Sequence, residues 1–221
     1  MNVAIIEFFV ENVRDNEFKA KRILEVGSKY VNGSIRPFIE RLHPTEYLGV
    51  DIELGKHVNV ILSAENLVEY FGSESFDVVI ATELLEHVKN WRLAISNMKE
   101  VLKRSGYMYV TTRSYGFHFH SYPFDYWRYG IEDIHRIFSD FKILILKEDP
   151  QGPRVFLKAI KLVDYKPNNL RDIALYSMIL GKRTTYIPEI CNMPLLRRLK
   201  LSVKEAYNTI KGKFYELLVV S

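Results

Sequence analysis

Short apolar runs alternate with longer amphipathic segments over most of the chain. The apolar runs predict five β-strands, at residues 22–26, 46–50, 57–62, 76–81 and 106–112. Apolar residues at helical spacing predict helices at residues 4–19, 34–42, 64–71, 91–103 and 131–139. Because strands that alternate with helices are typical of βα units around a parallel sheet, the sequence predicts an α/β fold.

An antiparallel hairpin is predicted where this alternation stops. Residues 141–149 and 154–163 are two β-rich runs, and the turn formers Pro-Gln-Gly-Pro lie between them. A parallel sheet that ends in an antiparallel hairpin is a narrower class than the dinucleotide-binding dehydrogenase fold.

The chain after residue 163 differs in pattern and in charge. Residues 168–182 and 194–220 have apolar residues at helical spacing, so we expect two helices and no further strands there. The net charge of the chain is +4, but the part from Lys158 onward has a surplus of +7. We therefore expect an α/β domain at residues 1–163 and a basic helical extension at residues 164–221. The extension could pack on the domain, form a homo-oligomer or touch a membrane surface.

The composition restricts the class of protein. With 221 residues, 48% of them hydrophobic, the chain can bury a sizeable core, which argues against intrinsic disorder. Its one cysteine, Cys191, excludes an internal disulfide framework and cannot form a zinc site by itself. The N-terminal residues have no basic start, and their apolar run is too short for a secretory signal or a transmembrane segment. We therefore expect a cytoplasmic protein.

The end of the first predicted strand has features of a cofactor-binding turn. Residues 23–35, ILEVGSKYVNGSI, place Glu25 and Gly27 at the strand end, but Lys29 replaces the second glycine of a dinucleotide-binding turn. A bulky residue there would obstruct a pyrophosphate, so a cofactor without phosphates fits better. The second strand ends at Asp51, whose two oxygens can accept hydrogen bonds from vicinal ribose hydroxyls. A ribose and an amino-acid end, whose ammonium group Glu25 could bind, describe S-adenosylmethionine (SAM).

Five motifs in order resemble those of the class I SAM-dependent methyltransferases. They are ILEVGS, YLGVDI, SAENL, SFDVVIATELLEHV and MKEVLKRSGYMYVTTRS, and the likeness covers about residues 21–162. Two further segments, VNGSIRP and YPFDYWRY, are similar to the type 11-like branch of this family. The resemblance implies a Rossmann-like fold, with a seven-stranded, mostly parallel sheet that ends in an antiparallel hairpin and has helices on both faces. It also implies SAM as cofactor, bound at the carboxyl ends of the first strands.

The same resemblance assigns cofactor contacts by position in the motifs. The predicted contacts are with the methionine part (Glu25, Gly27, Ser28), the ribose (Asp51, Ile52) and the surroundings of the adenine (Ala64, Glu65), with Glu83 at the end of the fourth strand. The sequence departs from the family's pattern in two places. Lys29 belongs to a longer glycine turn, and Ser63 stands where relatives often carry an aspartate. These departures predict modest affinity, and the alternative is a copy of the fold that no longer binds the cofactor.

Three polar side chains follow the fourth predicted strand, in ATELLEHV. Glu83, Glu86 and His87 have the spacing that places them on one face of a starting helix. Two carboxylates and an imidazole on one face can bind a divalent metal. The spelling also resembles that of two metal-assisted subgroups, the ubiquinone-pathway O-methyltransferases and the small-RNA 2′-O-methyltransferases, and the predicted ion is Mg²⁺ or Mn²⁺. Alternatively, His87 is a general base or substrate contact without metal, or Glu86 and His87 are structural groups.

The segment after the fifth predicted strand, residues 113–130, interleaves aromatic and polar residues. In this topology it lies over the methyl-transfer site, where aromatic side chains suit a substrate pocket that excludes water. His118 or His120 could complete a metal shell or remove a proton from a hydroxyl group. The predicted substrate contacts are Tyr122, Asp125, Trp127 and Arg128. The alternative is a small hydrophobic lid that is anchored by Trp127.

The sequence leaves three functions open. The first is SAM-dependent methylation of an oxygen, with nitrogen as the second choice, on a small molecule, glycan or lipid-linked acceptor. The second is metal-assisted 2′-O-methylation of RNA, with phosphates held by the basic extension. The third is a non-catalytic interaction or membrane-surface protein whose apolar extension carries the function. The aromatic segment favours the first function.

Overall fold

The computed structural model of the protein, which describes residues 2–120, 124–196, 198–199 and 202–203, has an α/β architecture. Its strands are β1 (Arg22–Val26), β2 (Glu46–Asp51), β3 (Val60–Ile61), β4 (Phe76–Thr82), β5 (Leu102–Arg113), β6 (Trp127–Arg128), β7 (Phe141–Glu148), β8 (Arg154–Lys161), β9 (Leu175–Ser177) and β10 (Lys182–Thr184). Its α-helices are α1 (Val3–Asn12), α2 (Asp15–Phe18), α3 (Arg36–Glu40), α4 (Leu67–Phe71), α5 (Trp91–Val101) and α6 (Ile131–Ile137). Among the described residues, short 3-10 helices lie at Ala64–Asn66, Leu85–His87 and Ile190–Asn192.

Seven strands form one sheet in the order β3-β2-β1-β4-β5-β8-β7. The neighbours from β3 to β5 pair in parallel, whereas β8 pairs antiparallel with both β5 and β7. This confirms the predicted mostly parallel seven-stranded sheet and its antiparallel hairpin. Val26 of β1 pairs with Val50 of β2 and with Ala81 of β4, so the carboxyl ends of these three strands meet at one edge.

The central strands are buried on both faces of the sheet. In β1, Leu24 and Val26 belong to the larger hydrophobic core of the described residues, and Ile23, which precedes them, belongs to the smaller one. Trp91 of α5 packs into the larger core, and Phe8 of α1 packs into the smaller. Since side chains alternate along a strand, these contacts place helices on both faces, as predicted.

Several predicted boundaries differ from the observed ones. The helix predicted at residues 4–19 is divided, because the extended Arg14 interrupts it and Glu17 accepts a hydrogen bond from the Arg14 backbone N–H (3.1 Å) at the start of α2. The strand predicted at residues 57–62 is reduced to the two residues of β3. The helix start that was expected to carry Glu86 is a single 3-10 turn, and α5 begins only at Trp91.

The helix predicted at residues 168–182 is wrong. This segment contains β9, and its last residue begins β10, so it forms an antiparallel hairpin that pairs with β6 in a second, three-stranded sheet. The turn is stabilised locally, since Ser177 Oγ accepts hydrogen bonds from the backbone N–H groups of Ile179 and Leu180 (both 3.2 Å). The apolar spacing suited a helix, but pairing with a distant strand decides the structure.

The part of the chain after residue 163 contributes to the same core as the sheet. Tyr165 and Leu175 are buried in the larger core. The division into two parts at this point stays a prediction, and most of the helix predicted at residues 194–220 lies outside the described residues. Within the part described, no helix has the length and apolar character needed to cross a membrane. The cytoplasmic location stays a prediction.

A buried ion pair joins the N-terminal helices to the sheet. The carboxylate of Glu17 accepts hydrogen bonds from Lys158 Nζ of β8 (2.6 Å) and from the hydroxyl of Tyr109 of β5 (2.5 Å). All three residues are buried. Removal of one charge would leave the other buried without a partner, and this cost exceeds the net contribution of the intact pair.

We therefore expect Glu17→Ala to lower the free energy of unfolding by about 3–5 kcal/mol. Urea unfolding followed by circular dichroism measures this change. The matched control is Glu11→Ala, because Glu11 forms an exposed ion pair with Lys147 and its loss should cost less than about 1 kcal/mol. Equal effects of the two substitutions would contradict the structural role of Glu17.

Candidate active site

A cleft opens at the edge where β1, β2 and β4 end. Its lining is mainly apolar, with polar groups at the strand ends. The lining residues are Val26, Gly27, Asp51, Ile52, Leu62, Ser63, Ala64, Glu65, Leu84, His87, Val88, Lys89, Phe124 and Tyr126. Five of the eight predicted cofactor contacts are therefore brought together along one cleft: Gly27, Asp51, Ile52, Ala64 and Glu65.

Gly27 forms the floor of the cleft directly after β1. Its φ of +78° lies in the left-handed region, which side chains other than glycine rarely adopt. A Cβ atom at this position would lie 2.9 Å from Cδ1 of Leu84. Glycine is needed both for the turn and for the close packing of the segment that follows β4.

Asp51 is fixed at the end of β2 by two backbone hydrogen bonds. Its Oδ2 accepts from the backbone N–H of Lys29 (3.1 Å), and its Oδ1 accepts from that of Glu53 (3.1 Å). The side chain of Lys29 forms an ion pair with Glu53 and does not line the cleft. The bulky residue in the glycine turn therefore leaves the cleft open.

Ser63, the second departure from the family pattern, lies in the cleft wall. Its Oγ accepts a hydrogen bond from the backbone N–H of Glu65 (3.2 Å) and caps the 3-10 turn that carries Ala64 and Glu65. Its hydroxyl therefore positions the neighbouring predicted contacts.

Glu25 and Ser28 support the cleft from behind and do not line it. Glu25 is 2% exposed, and its Oε2 accepts a hydrogen bond from the hydroxyl of Tyr47 (3.0 Å). Burial raises the pKa of Glu25 to about 7, although Tyr47 and the nearby Arg36 act to lower it. Ser28 donates its hydroxyl to the backbone carbonyl of His57 (3.1 Å).

Glu83 faces two arginines at the end of β4. Its Oε2 lies 2.5 Å from Nε of Arg113 and 3.2 Å from Nε of Arg154. Burial, with the nearby charge of Glu86, raises the pKa of Glu83 to about 7. Its φ of +52° differs from that of a helix start, and the predicted common face with Glu86 and His87 does not form.

Glu86 and His120 come together with His87, which lines the other end of the cleft. One potential ligand atom from each lies within 4.8 Å of the others. Burial raises the pKa of Glu86 and lowers that of His87. His120 was predicted either to complete a metal shell or to remove a proton from a hydroxyl group, and the structure places it here, where Glu83 was expected. The predicted Mg²⁺ or Mn²⁺ stays a prediction.

A buried ion pair holds the segment that covers this end. Arg128 donates to both carboxylate oxygens of Asp125 (2.5 and 2.8 Å) and to the backbone carbonyls of Phe117 and His118. Although burial opposes it, the hydrogen bonds from Arg128 and His120 lower the pKa of Asp125 to about 2. Asp125 and Arg128, both predicted to contact substrate, therefore shape the segment from within.

The remaining predicted residues of this segment have different positions. Trp127 is fully buried, and its Nε1 donates to the carbonyl of Lys89 (3.1 Å), which agrees with its alternative role as an anchor. His118 is exposed and stacks on Phe117 (4.6 Å between ring centroids). Tyr122 lies outside the described residues.

Phe124 and Tyr126 line the cleft but were not predicted as contacts. The backbone N–H of Tyr126 donates to the carbonyl of Glu86 (2.9 Å), and its carbonyl accepts from the N–H of Met178 (2.8 Å). Phe124 is 58% exposed at the cleft. The density of aromatic residues in the sequence indicated a pocket wall. Which of their side chains line the cleft depends on backbone contacts with residues that are far away in the sequence.

A family model described as a methyltransferase domain matches residues 4–143, more than half of the chain. The chain belongs to this methyltransferase family. The match confirms the predicted family and enzyme class, a SAM-dependent methyltransferase. No curated protein matches the chain.

Solved structures share the fold of this methyltransferase at low sequence identity. An S-adenosylmethionine dependent methyltransferase from Mesorhizobium loti has a TM-score of 0.54 at 14% identity, over 72% of this chain and 98% of that one. A SAM dependent methyltransferase from Aquifex aeolicus has a TM-score of 0.54 at 13% identity, over 71% of this chain and 89% of that one. The 1,6-didemethyltoxoflavin-N1-methyltransferase of Burkholderia thailandensis, with bound 1,6-didemethyltoxoflavin and S-adenosylhomocysteine, has a TM-score of 0.52 at 10% identity, over 72% and 88% of the two chains.

The raised pKa of Glu25 predicts a dependence of stability on pH. Between its usual pKa of 4.5 and about 7, the folded protein binds a proton at Glu25 that the unfolded chain does not bind. The contribution of Glu25 to the free energy of unfolding is therefore fully present below pH 4.5 and is lost as the pH rises through about 7. Glu25→Gln should remove up to about 3 kcal/mol of this pH-dependent loss.

Urea unfolding of the protein and of Glu25→Gln at pH 5 and pH 8 measures the difference. The control, Glu69→Gln, changes an exposed carboxyl group and should leave the pH dependence unaltered. If Glu25→Gln has the same pH dependence as the unaltered protein, the buried carboxyl group does not titrate as described.

Proposed function

We propose that this methyltransferase transfers the methyl group of SAM to an oxygen of a small molecule, glycan or lipid-linked acceptor bound in the cleft. The observation that carries the proposal is the continuity of the cleft from Asp51 to His87. One end has groups suited to a ribose and an adenine, and the other has an imidazole beside aromatic side chains. The sulfonium of SAM is already activated, so the protein must chiefly align the acceptor with the methyl group.

Each part of the cofactor has a matching part of the cleft. Asp51 would accept hydrogen bonds from the two ribose hydroxyls, and Ala64 and Glu65 would border the adenine. The open backbone at Gly27 would lie against the methionine part. Glu25 would act indirectly, since its buried carboxyl group supports β2 through Tyr47.

The lining of the cleft favours an apolar or uncharged acceptor over RNA. Lys89 is the one lysine or arginine among the described lining residues, and its Nζ is paired with the carboxylate of Glu189 (2.6 and 2.7 Å). RNA phosphates would need unpaired cations along a track. Phe124 and Tyr126 offer instead the apolar wall that encloses small ligands.

Nitrogen remains the second choice of acceptor atom. The Burkholderia thailandensis neighbour is a 1,6-didemethyltoxoflavin-N1-methyltransferase, so the fold also serves nitrogen methylation. The extension at residues 164–221 supports the lipid-linked alternative, because Leu196, Leu199 and Val203 are exposed there, in a stretch of sequence rich in lysine and arginine. A homo-oligomer stays a prediction.

The assignment of Asp51 to the ribose predicts the effect of its replacement on cofactor binding. Asp51→Ala should weaken SAM binding by about 100-fold, because two hydrogen bonds to a charged group are lost. Asp51→Asn, which keeps one oxygen acceptor, should bind with intermediate affinity. Calorimetric titration with SAM and with S-adenosylhomocysteine measures both affinities.

Glu69→Ala is the matched control, since it removes an exposed carboxylate outside the described cleft lining. It should bind SAM as the unaltered protein does. Unaltered affinity in Asp51→Ala would show that the ribose lies elsewhere, and absence of binding by the unaltered protein at millimolar SAM would refute the proposed function.

A further inference from the structure

We propose that Glu86, His87 and His120 form a binding site for one divalent transition-metal ion at the acceptor end of the cleft. The three side chains come from two separate segments, the 3-10 turn after β4 and the segment after β5. Their potential ligand atoms lie within 4.8 Å of one another. Each of the three side chains also has a hydrogen bond to a neighbouring group that holds it in place.

His87 is oriented by a backbone carbonyl. Its Nδ1 lies 2.6 Å from the carbonyl oxygen of Phe124, so Nδ1 carries the proton and donates it. Nε2 then has the free lone pair that a metal ion requires. Histidine ligands commonly have their second nitrogen bonded to a carbonyl or carboxylate in this way.

His120 is oriented by a carboxylate. Its Nδ1 lies 3.1 Å from Oδ2 of Asp125, which again leaves Nε2 with the lone pair. Asp125 is fully buried and is itself fixed by the two hydrogen bonds from Arg128. A carboxylate that accepts a hydrogen bond from a metal-binding imidazole is a common feature of metal sites.

Glu86 provides a buried oxygen whose hydrogen-bonding capacity is unused. Its Oε2 accepts from the hydroxyl of Thr112 (3.0 Å), while Oε1 has no hydrogen-bond partner among the described residues. Arg113 Nε forms an ion pair with Oε1 at 3.7 Å, which is beyond hydrogen-bond distance. A fully buried carboxylate oxygen without a partner is costly, and a cation would remove that cost.

The spacing suits an ion with short bonds after a small closure. If all three atoms were at the largest separation of 4.8 Å, an ion equidistant from them would lie about 2.8 Å from each, against about 2.0–2.2 Å for zinc bonds to nitrogen and oxygen. Inward movement of each side chain by less than about 1 Å makes up the difference. Glu83 is not available as a ligand, because its carboxylate faces Arg113 and Arg154.

The donor set selects the class of ion. Two imidazoles and one carboxylate favour zinc and other borderline transition metals over Mg²⁺, which prefers oxygen ligands. Three protein ligands leave a coordination position open, as in catalytic zinc sites. His87 and Phe124 line the cleft, so the open position would face the acceptor. This placement rests on the proposed function. The ion would bind a hydroxyl group of the acceptor and lower the pKa of that hydroxyl.

Calorimetric titration of the full chain with Zn²⁺, Mn²⁺ and Mg²⁺, after treatment with EDTA and dialysis, tests the site. We expect one Zn²⁺ per chain, bound more tightly than Mn²⁺ and much more tightly than Mg²⁺. His120→Ala should weaken zinc binding by more than about 100-fold, since loss of a supporting residue alone costs about 10- to 100-fold. With Co²⁺ as probe, the visible absorption of the bound ion should be lost in the same variant.

Two other histidines provide matched controls. His118→Ala alters the same segment, and His135→Ala alters an exposed histidine of α6, so both should bind zinc as tightly as the unaltered protein. Glu86→Gln should weaken binding as His120→Ala does. Zinc affinity that is unaltered in His120→Ala, or lowered equally in His118→Ala, would overturn the proposed ligand set.

Titration of the same samples with SAM separates this inference from the proposed function. Retained SAM binding in His120→Ala shows that the variant is folded, so its zinc affinity alone decides the metal site. If the unaltered protein binds SAM but no zinc, the metal site is refuted and the proposed function stands. If it binds zinc but no SAM, the proposed function is refuted and the metal site stands.

Discussion

The parallel pairing of β1 with β2 and β4 sets the position of the groups at the cleft. Because Val26 is paired with Val50 and with Ala81, the residues that follow these strands emerge together at one edge. A shift of one residue in the pairing of β2 would turn Asp51 to the opposite face of the sheet. The core fixes the register, since successive residues of β1, such as Ile23 and Leu24, pack into different hydrophobic cores on the two faces of the sheet.

Buried charges are paired at several points around this sheet. Lys99 and Asp140, each with a 2% exposed side chain, form an ion pair at 2.7 Å, and Glu17 and Lys158 form another. Such pairs contribute little net stability because both charges lose their hydration, but a structure that separated them would be far costlier. They therefore favour one arrangement of helices on the sheet over others of similar hydrophobic burial.

The parts of the site that follow strands directly could be predicted from the sequence. Gly27 follows β1 and Asp51 is the last residue of β2, and the apolar runs of both strands are clear in the sequence. Their meeting at one edge then follows from the parallel sheet. Phe124 and Tyr126 could not be assigned, because the segment that carries them is positioned by β9, about fifty residues later in the chain. The helix predicted at residues 168–182 failed for the same reason, since local apolar spacing does not record the strand with which a segment pairs.

The hydrogen bond between Tyr126 and Met178 also has a consequence for synthesis of the protein. The ribosome makes all five parallel strands before it reaches β9, so a nascent chain can form the sheet edge that carries Gly27 and Asp51 while the wall at Tyr126 still lacks its partner. Contacts between such distant residues form late and slowly. The wall of the cleft at Tyr126 is therefore completed last, and a chain released early would have the strand ends without that wall.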